Sequence, residues 1–236
     1  MTLLPRPPDP LCIRHVGSFD DLVSTPFENG INALCWAREL AGDYAEIAGK
    51  LETTEDLIVL EERDLLSLEV SGSGKIAIAQ ILSDMHLLRD LGLDPVFNRI
   101  SAYPRDDLSA PVPTDVYSFH VDSAPVEADT WLCTYWGAPS EGLRNEDAIR
   151  RIDLPGNREA LLREFGGEDN ETFLEYLSEG CFDLHYAPVT GAVPYSFGVG
   201  NLWRIAVEYP GAPVPACIHR APENLPGQPA RLLLIC

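Results

Sequence analysis

Positive charge is what this chain lacks most. Against 37 aspartates and glutamates it sets 17 lysines and arginines, for a formal net charge of −20. A surface that acidic repels phosphate backbones and anionic headgroups, so nucleic acid and membrane surfaces are not expected partners. An anionic small molecule would need a locally basic pocket. Long apolar runs are also missing, and nothing approaches membrane-spanning length. The opening MTLLPRPPDPLC is too broken by proline to read as a signal-peptide core. Six cysteines lie far apart with no C-x-x-C pair. That spacing argues against a disulfide framework and for thiols kept reduced in a cytoplasm. There is no internal repeat, and no low-complexity tract beyond the proline-rich first ten residues. G-x-S-x-G is absent, so no Ser-His-Asp arrangement can be picked out. SGSGK (71–75) looks like the end of a phosphate-binding loop. Glu69 and Ile76 stand where that loop needs a glycine and a hydroxyl residue, so it reads as a turn before a helix.

What is present is proline, glycine and short β-rich runs. Twenty prolines and 18 glycines are spread along the chain, favouring many turns and short strands over a helix bundle. INALCWARE (31–39) reads as a strand, followed by a helix through LAGDYAEIAGKLE. GKIAIAQILSDMHLLRDLG (74–92) carries apolar residues at helical spacing, with Gly92 placed to end the helix. From Asp94 onward the texture changes. PVFNRISAY, DVYSFHVD, TWLCTYW, NLWRIAVEY, PACIHRA and ARLLLIC are rich in β-branched and aromatic residues and separated by proline and glycine. The expectation is a single α+β domain over 1–236 with a mainly β core. Residues 1–93 form a strand-and-helix elaboration, and 94–236 a jelly-roll sandwich or barrel. Between 138 and 180 the pattern turns helical, with Asn157 and Asn170 as caps, and reads as an insertion serving as a lid or a homodimer contact.

YSFHVDS places His120 and Asp122 two residues apart in one such run, hence on one face of a strand. Alone, such a pair is as well explained by a solvated edge-strand contact as by a metal. His219, in IHRAP near the C-terminus, adds a second imidazole; by itself it reads as a satisfied core histidine. Together the three are the ligand set of a 2-His-1-carboxylate facial triad, which leaves metal positions open. His185, in DLHYAPV, is the competing ligand. Arg231 follows His219 at a separation that suits two neighbouring antiparallel strands joined through ENLPGQP. Arg231, Leu233 and Ile235 would share a face. An arginine pointing into an apolar sheet is costly unless paired, and its planar fork matches a carboxylate.

The order H-x-D, a distant histidine, then an arginine about one strand later resembles the Fe(II)/2-oxoglutarate-dependent dioxygenase superfamily, whose fold is a double-stranded β-helix. The flanking segments resemble more closely a bacterial family with no assigned reaction, in which they run F-H-x-D, T-Y-x-G-x-G-[ST]-E and H-R-[SA]-P. The likeness spans about Val96 to Cys236, and here Pro139 replaces the second glycine of the middle segment. The resemblance implies Fe(II) ligation by His120, Asp122 and His219. It implies 2-oxoglutarate as cosubstrate held by Arg231, with Tyr103, Thr134 and Tyr135 as further hydrogen-bond donors. It also implies hydroxylation of a small-molecule or protein substrate. Two other readings of the same residues stand beside it: a cupin-like metalloenzyme without 2-oxoglutarate, and a non-catalytic jelly-roll binding module.

Overall fold

The computed structural model describes residues 11–51, 53–106, 110–223 and 227–236. The proline-rich first ten residues, and Asn224 to Pro226 of the ENLPGQP segment, lie outside them. The chain runs β1 (Ile13–Val16), α1 (Phe19–Ser24), β2 (Ala33–Trp36), α2 (Tyr44–Lys50), β3 (Leu57–Leu60), α3 (Glu62–Leu66) and α4 (Gly72–Asp90). It continues through β4 (Val96–Ile100), β5 (Phe119–His120), β6 (Asp129–Trp136), β7 (Glu141–Leu143) and β8 (Ala148–Arg150). Then come α5 (Asn157–Phe165), α6 (Glu171–Glu179), β9 (His185–Pro188), β10 (Tyr195–Ser196), β11 (Leu202–Ala206), β12 (Ile218–Arg220) and β13 (Arg231–Ile235). No helix among the described residues is long and apolar enough to cross a membrane.

These strands form two curled sheets. One has seven strands in the order β1-β2-β11-β6-β13-β4-β3, and the other six in the order β10-β7-β12-β5-β9-β8. Pairing within them is antiparallel except between β1 and β2. Successive strands β4 to β7 alternate between the sheets, and so do β10 to β13. The N-terminal strands thus extend the larger sheet at both edges.

Period-two alternation gives the larger sheet two different faces. Phe97, Cys133, Tyr135, Leu232 and Leu234 point outward and pack under α1, α2 and α4. Ile100, Leu132, Trp203, Ile205 and Leu233 point inward and meet Phe197 and Cys217 of the smaller-sheet side. Phe119, Val121, Leu143 and Ile218 form a separate cluster on the smaller sheet's other face. The longest helix, α4, buries Ala77, Ile78, Ile81, Leu82, Met85 and Leu88, a three-and-four spacing that lays one stripe on the sheet. SGSGK is not a turn ahead of this helix but its first turn. The Ser71 hydroxyl caps it by accepting from the Gly74 amide, and Gly92, at φ +82°, follows its end as expected.

Three expectations need correction. The run DVYSFHVD is a strand only at Phe119–His120, because the Asp115 carboxylate accepts from the Tyr117 and Ser118 amides and turns the chain. The 138–180 segment is not purely helical: β7 and β8 lie within it and join the smaller sheet, while α5 and α6 share their own core of Leu161, Phe173 and Leu177. Asn170 caps α6 as expected. Asn157 does not cap α5; Gly156, at φ +86°, occupies that position, and the Asn157 side-chain Nδ2 donates to the Arg151 carbonyl.

Candidate metal centre

The smaller sheet carries a row of residues across four strands. Gly142 of β7 pairs with His219 of β12, His219 with His120 of β5, and His120 with His185 of β9. Directly opposed residues on antiparallel strands share a face, so the three imidazoles stand side by side. Their ring centroids are 4.6 Å apart for His120 and His219 and 5.5 Å for His120 and His185. Cys217, two residues before His219, packs among the inward-facing apolar residues, so the row faces the larger sheet. Gly142 is needed here: a Cβ would sit 2.2 Å from the Tyr195 ring.

Asp122 lies just past the end of β5, where backbone bonds hold it on both sides. The Val121 amide donates to Leu184, and the Asp122 carbonyl accepts from Glu208. Its Oδ2 lies 3.7 Å from His219 Nε2 and accepts from the Thr130 hydroxyl. One ligand atom each from His120, Asp122 and His219 falls within 4.8 Å of the others, a cluster able to hold a metal ion. Two bonds of about 2.1 Å at the right angle of a facial set bring ligand atoms to about 3 Å apart, so closure around an ion asks for side-chain shifts of up to about 1.8 Å.

The tautomers are set by the backbone. His120 Nδ1 is 2.8 Å from the Ser118 carbonyl and His219 Nδ1 is 3.2 Å from the Cys217 carbonyl. A carbonyl only accepts, so each Nδ1 carries the proton and each Nε2 keeps its lone pair for a ligand. Burial pushes His120 down to about 4, helped by the neighbouring His219 and resisted by the Ser118 carbonyl and Asp122. Burial alone would raise the Asp122 carboxyl, but His219, the Thr130 hydroxyl and His120 outweigh it and hold it below its ordinary value. Both shifts favour the protonation state a metal requires.

A pH dependence follows with a definite sign. Between pH 6.5 and 4 the unfolded chain binds a proton at His120 that the folded protein does not, so stability falls as pH falls through that window. Denaturant titrations of the metal-free protein should show the midpoint dropping from pH 7 to pH 5. The drop should be smaller in His120→Gln, which has nothing to protonate there.

The other expected site residues divide. Arg231 is 5% exposed and points inward from β13. Its Nη2 donates to the Ser140 hydroxyl at 2.6 Å and the Thr134 hydroxyl at 3.1 Å, while Nε has no partner. Among the described residues no carboxylate pairs with it. Burial works against its charge, and the Tyr103 phenol favours it. Tyr103 and Arg231 line a small open pocket together with Ile100, Tyr117, Glu223 and Gln228; none of the three clustered residues lines that pocket.

Two placements differ from expectation. Arg231 is not on a strand beside His219: β12 belongs to the smaller sheet and β13 to the larger one, where Arg231 shares the inward face with Leu233. Tyr135 leaves the site altogether. It neighbours the inward-facing Thr134, so alternation sends it outward, where its hydroxyl donates to Asp84 of α4 at 2.6 Å. His185 joins the histidine row but not the His120–Asp122–His219 cluster. Sequence reading missed Ser140 and Thr130. Ser140 occupies the [ST] position of the T-Y-x-G-x-G-[ST]-E segment and was legible there; nothing local marks Thr130.

No family model matches this chain, and no curated protein or solved structure matches it either. The functional reading therefore rests on the geometry and on the motif order.

Proposed function

We propose that this protein is an Fe(II)- and 2-oxoglutarate-dependent oxygenase built on a double-stranded β-helix. The observation that carries the reading is the His120–Asp122–His219 cluster on the smaller sheet, together with a buried arginine on the larger sheet's inward face that has no carboxylate partner among the described residues. The strand order supports it. β4, β13, β6 and β11 in one sheet oppose β5, β12, β7 and β10 in the other, with successive strands alternating, as in a jelly roll.

His120, Asp122 and His219 would hold the iron through two Nε2 lone pairs and one carboxylate, leaving its other positions for cosubstrate and dioxygen. The five-donor fork of Arg231 is partly used by Thr134 and Ser140, which fix its plane, and the remainder suits a carboxylate of 2-oxoglutarate. Tyr103 would border that carboxylate. When bound, the iron couples decarboxylation of 2-oxoglutarate to oxygen insertion: substrate C–H, dioxygen and 2-oxoglutarate become C–OH, succinate and carbon dioxide. Trp203 and Phe197, stacked at 4.4 Å, form an apolar wall beside His219.

Anaerobic addition of Fe(II) and 2-oxoglutarate should give the weak visible charge-transfer band of the chelate. Arg231→Ala should weaken 2-oxoglutarate binding by at least about tenfold, the loss of one charge-assisted bidentate contact, with iron binding little changed. Iron binding with no effect of 2-oxoglutarate would point instead to a cupin-like metalloenzyme. Folded protein that takes up no metal would end the oxygenase reading.

A further inference from the structure

His185 and Arg151 are not used by the reading above, yet they continue the same wall. His185 is 4% exposed, lies directly across from His120, and its Nδ1 is buried without a hydrogen-bond partner. Arg151 sits in the turn Arg151–Asp153, which packs on β9. Its Nε donates to the Ser118 hydroxyl at 3.1 Å. Among the described residues its two terminal nitrogens have no partner and no carboxylate lies within ion-pairing reach. Asp115 is the acidic group that favours its charge, but that carboxylate already accepts from the amides of Asp106, Tyr117 and Ser118. Burial meanwhile works against the Arg151 charge, and its field reaches His185.

An incompletely paired guanidinium in a chain of net charge −20 stands out, because acidic partners are plentiful. Most described arginines here have found one: Arg38 pairs with Asp84, Arg105 with Glu223, Arg158 with Asp169, Arg204 with Asp129 and Arg220 with Glu141. Arg99, Arg151 and Arg231 are at least partly buried and have not, and of these Arg99 lies two residues along β4 from Phe97 and so on the larger sheet's outer face. The other two lie on opposite sides of the interior, Arg231 on the larger sheet and Arg151 against the histidine row of the smaller one. One guanidinium serves the 2-oxo acid, and the second is available to another anion. A single fork flanked by an imidazole, with Asp106 and Asp115 nearby, balances a monoanion better than a dianion.

We propose that Arg151 and His185 form an oxyanion subsite beside the metal centre that binds the carboxylate of the molecule being oxidised, so that the substrate class is a small monocarboxylic acid. The proposal rests on the oxygenase reading of the adjacent centre. Arg151 would take the two carboxylate oxygens bidentately and His185 would contribute one ring N–H. The rest of the molecule would then extend over His120 toward the iron.

The test uses the full chain with Fe(II) and saturating 2-oxoglutarate, without oxygen, so that Arg231 is already occupied. Hexanoate, benzoate and N-acetylglycine are titrated against their neutral amides, with inorganic phosphate as a second oxyanion. Binding is followed by calorimetry and by movement of the visible band. At least one acid should bind roughly tenfold or more tighter than its amide. Arg151→Gln should erase that preference while the band persists, and Arg151→Lys, which keeps the charge and loses the fork, should retain part of it. Equal affinity for acid and amide, no acid binding, or acid binding unchanged in Arg151→Gln would overturn the subsite. Arg151-dependent binding of phosphate in preference to every acid would overturn the carboxylate assignment. A missing band with Arg151-dependent acid binding would sink the oxygenase reading and leave the subsite standing.

Discussion

Asp122→Ala protein, loaded anaerobically with Fe(II) and desalted, should retain essentially no iron and show no visible band with 2-oxoglutarate. Asp122 supplies the only negative charge in the cluster, and without it two imidazoles alone would have to hold a divalent ion at a partly buried site. The loss should exceed the roughly 10–100-fold that follows removal of an outer-shell partner. Thr130→Ala, which removes the hydroxyl donating to Asp122 Oδ2, provides that smaller figure for comparison. The fold should survive the first change, since Asp122 lies past the end of β5 and its side chain contributes nothing to the apolar cores. Metal analysis and circular dichroism on the same samples separate the two effects. Full iron retention in folded Asp122→Ala would show that the carboxylate is not a ligand.

The largest expected stability effect lies on the other face of the larger sheet. Arg38 donates to both oxygens of Asp84, at 2.7 and 2.8 Å, and Asp84 also accepts from Gln80 and from the Tyr135 hydroxyl. The side chains are 8% and 0% exposed. Burial would lower the Arg38 pKa, but the hydrogen bond and charge of Asp84 overturn that and raise it. Asp84→Ala strands a buried guanidinium and should cost about 3–5 kcal/mol. For a chain of this size that is a fall in melting temperature on the order of 10 °C. Removing both charges, as Arg38→Leu with Asp84→Leu, should cost less than Asp84→Ala alone, because the main penalty is the unpaired ion rather than the lost attraction. The visible band with Fe(II) and 2-oxoglutarate should persist in the double variant. A loss below about 1 kcal/mol for Asp84→Ala would mean that Arg38 finds water or another acceptor.

How far the sequence carried depended on the range of each signal. His120 and Asp122 were legible because H-x-D is a local pattern, although the strand meant to align them ends at His120 and backbone bonds to Leu184 and Glu208 place Asp122 instead. His219 was legible because it sat in an apolar strand with a motif around it. The helix over Gly72–Asp90 announced itself through a sustained three-and-four repeat. Pairing was not legible. The interval from His219 to Arg231 fits a hairpin and fits equally well a crossing between sheets, and the chain takes the crossing. Tyr135 failed for the opposite reason: adjacent positions within a strand such as β6 point to opposite faces, which forbids Thr134 and Tyr135 from sharing one. The acceptor that claims Tyr135, Asp84, lies 51 positions away on a helix and gave no local sign. Arg151 lay inside a stretch read only for its helices, so its incomplete pairing emerged only from coordinates.

The backbone clasp around Asp122 and the two carbonyls that fix His120 and His219 have an implication for handling this protein. They orient two imidazoles and a carboxylate, a donor set that discriminates poorly among divalent ions of similar size. Nickel, cobalt or zinc acquired during expression would fit the same three atoms and leave the architecture intact. Preparations with identical spectra of folding could therefore differ entirely in competence, according to which ion came first.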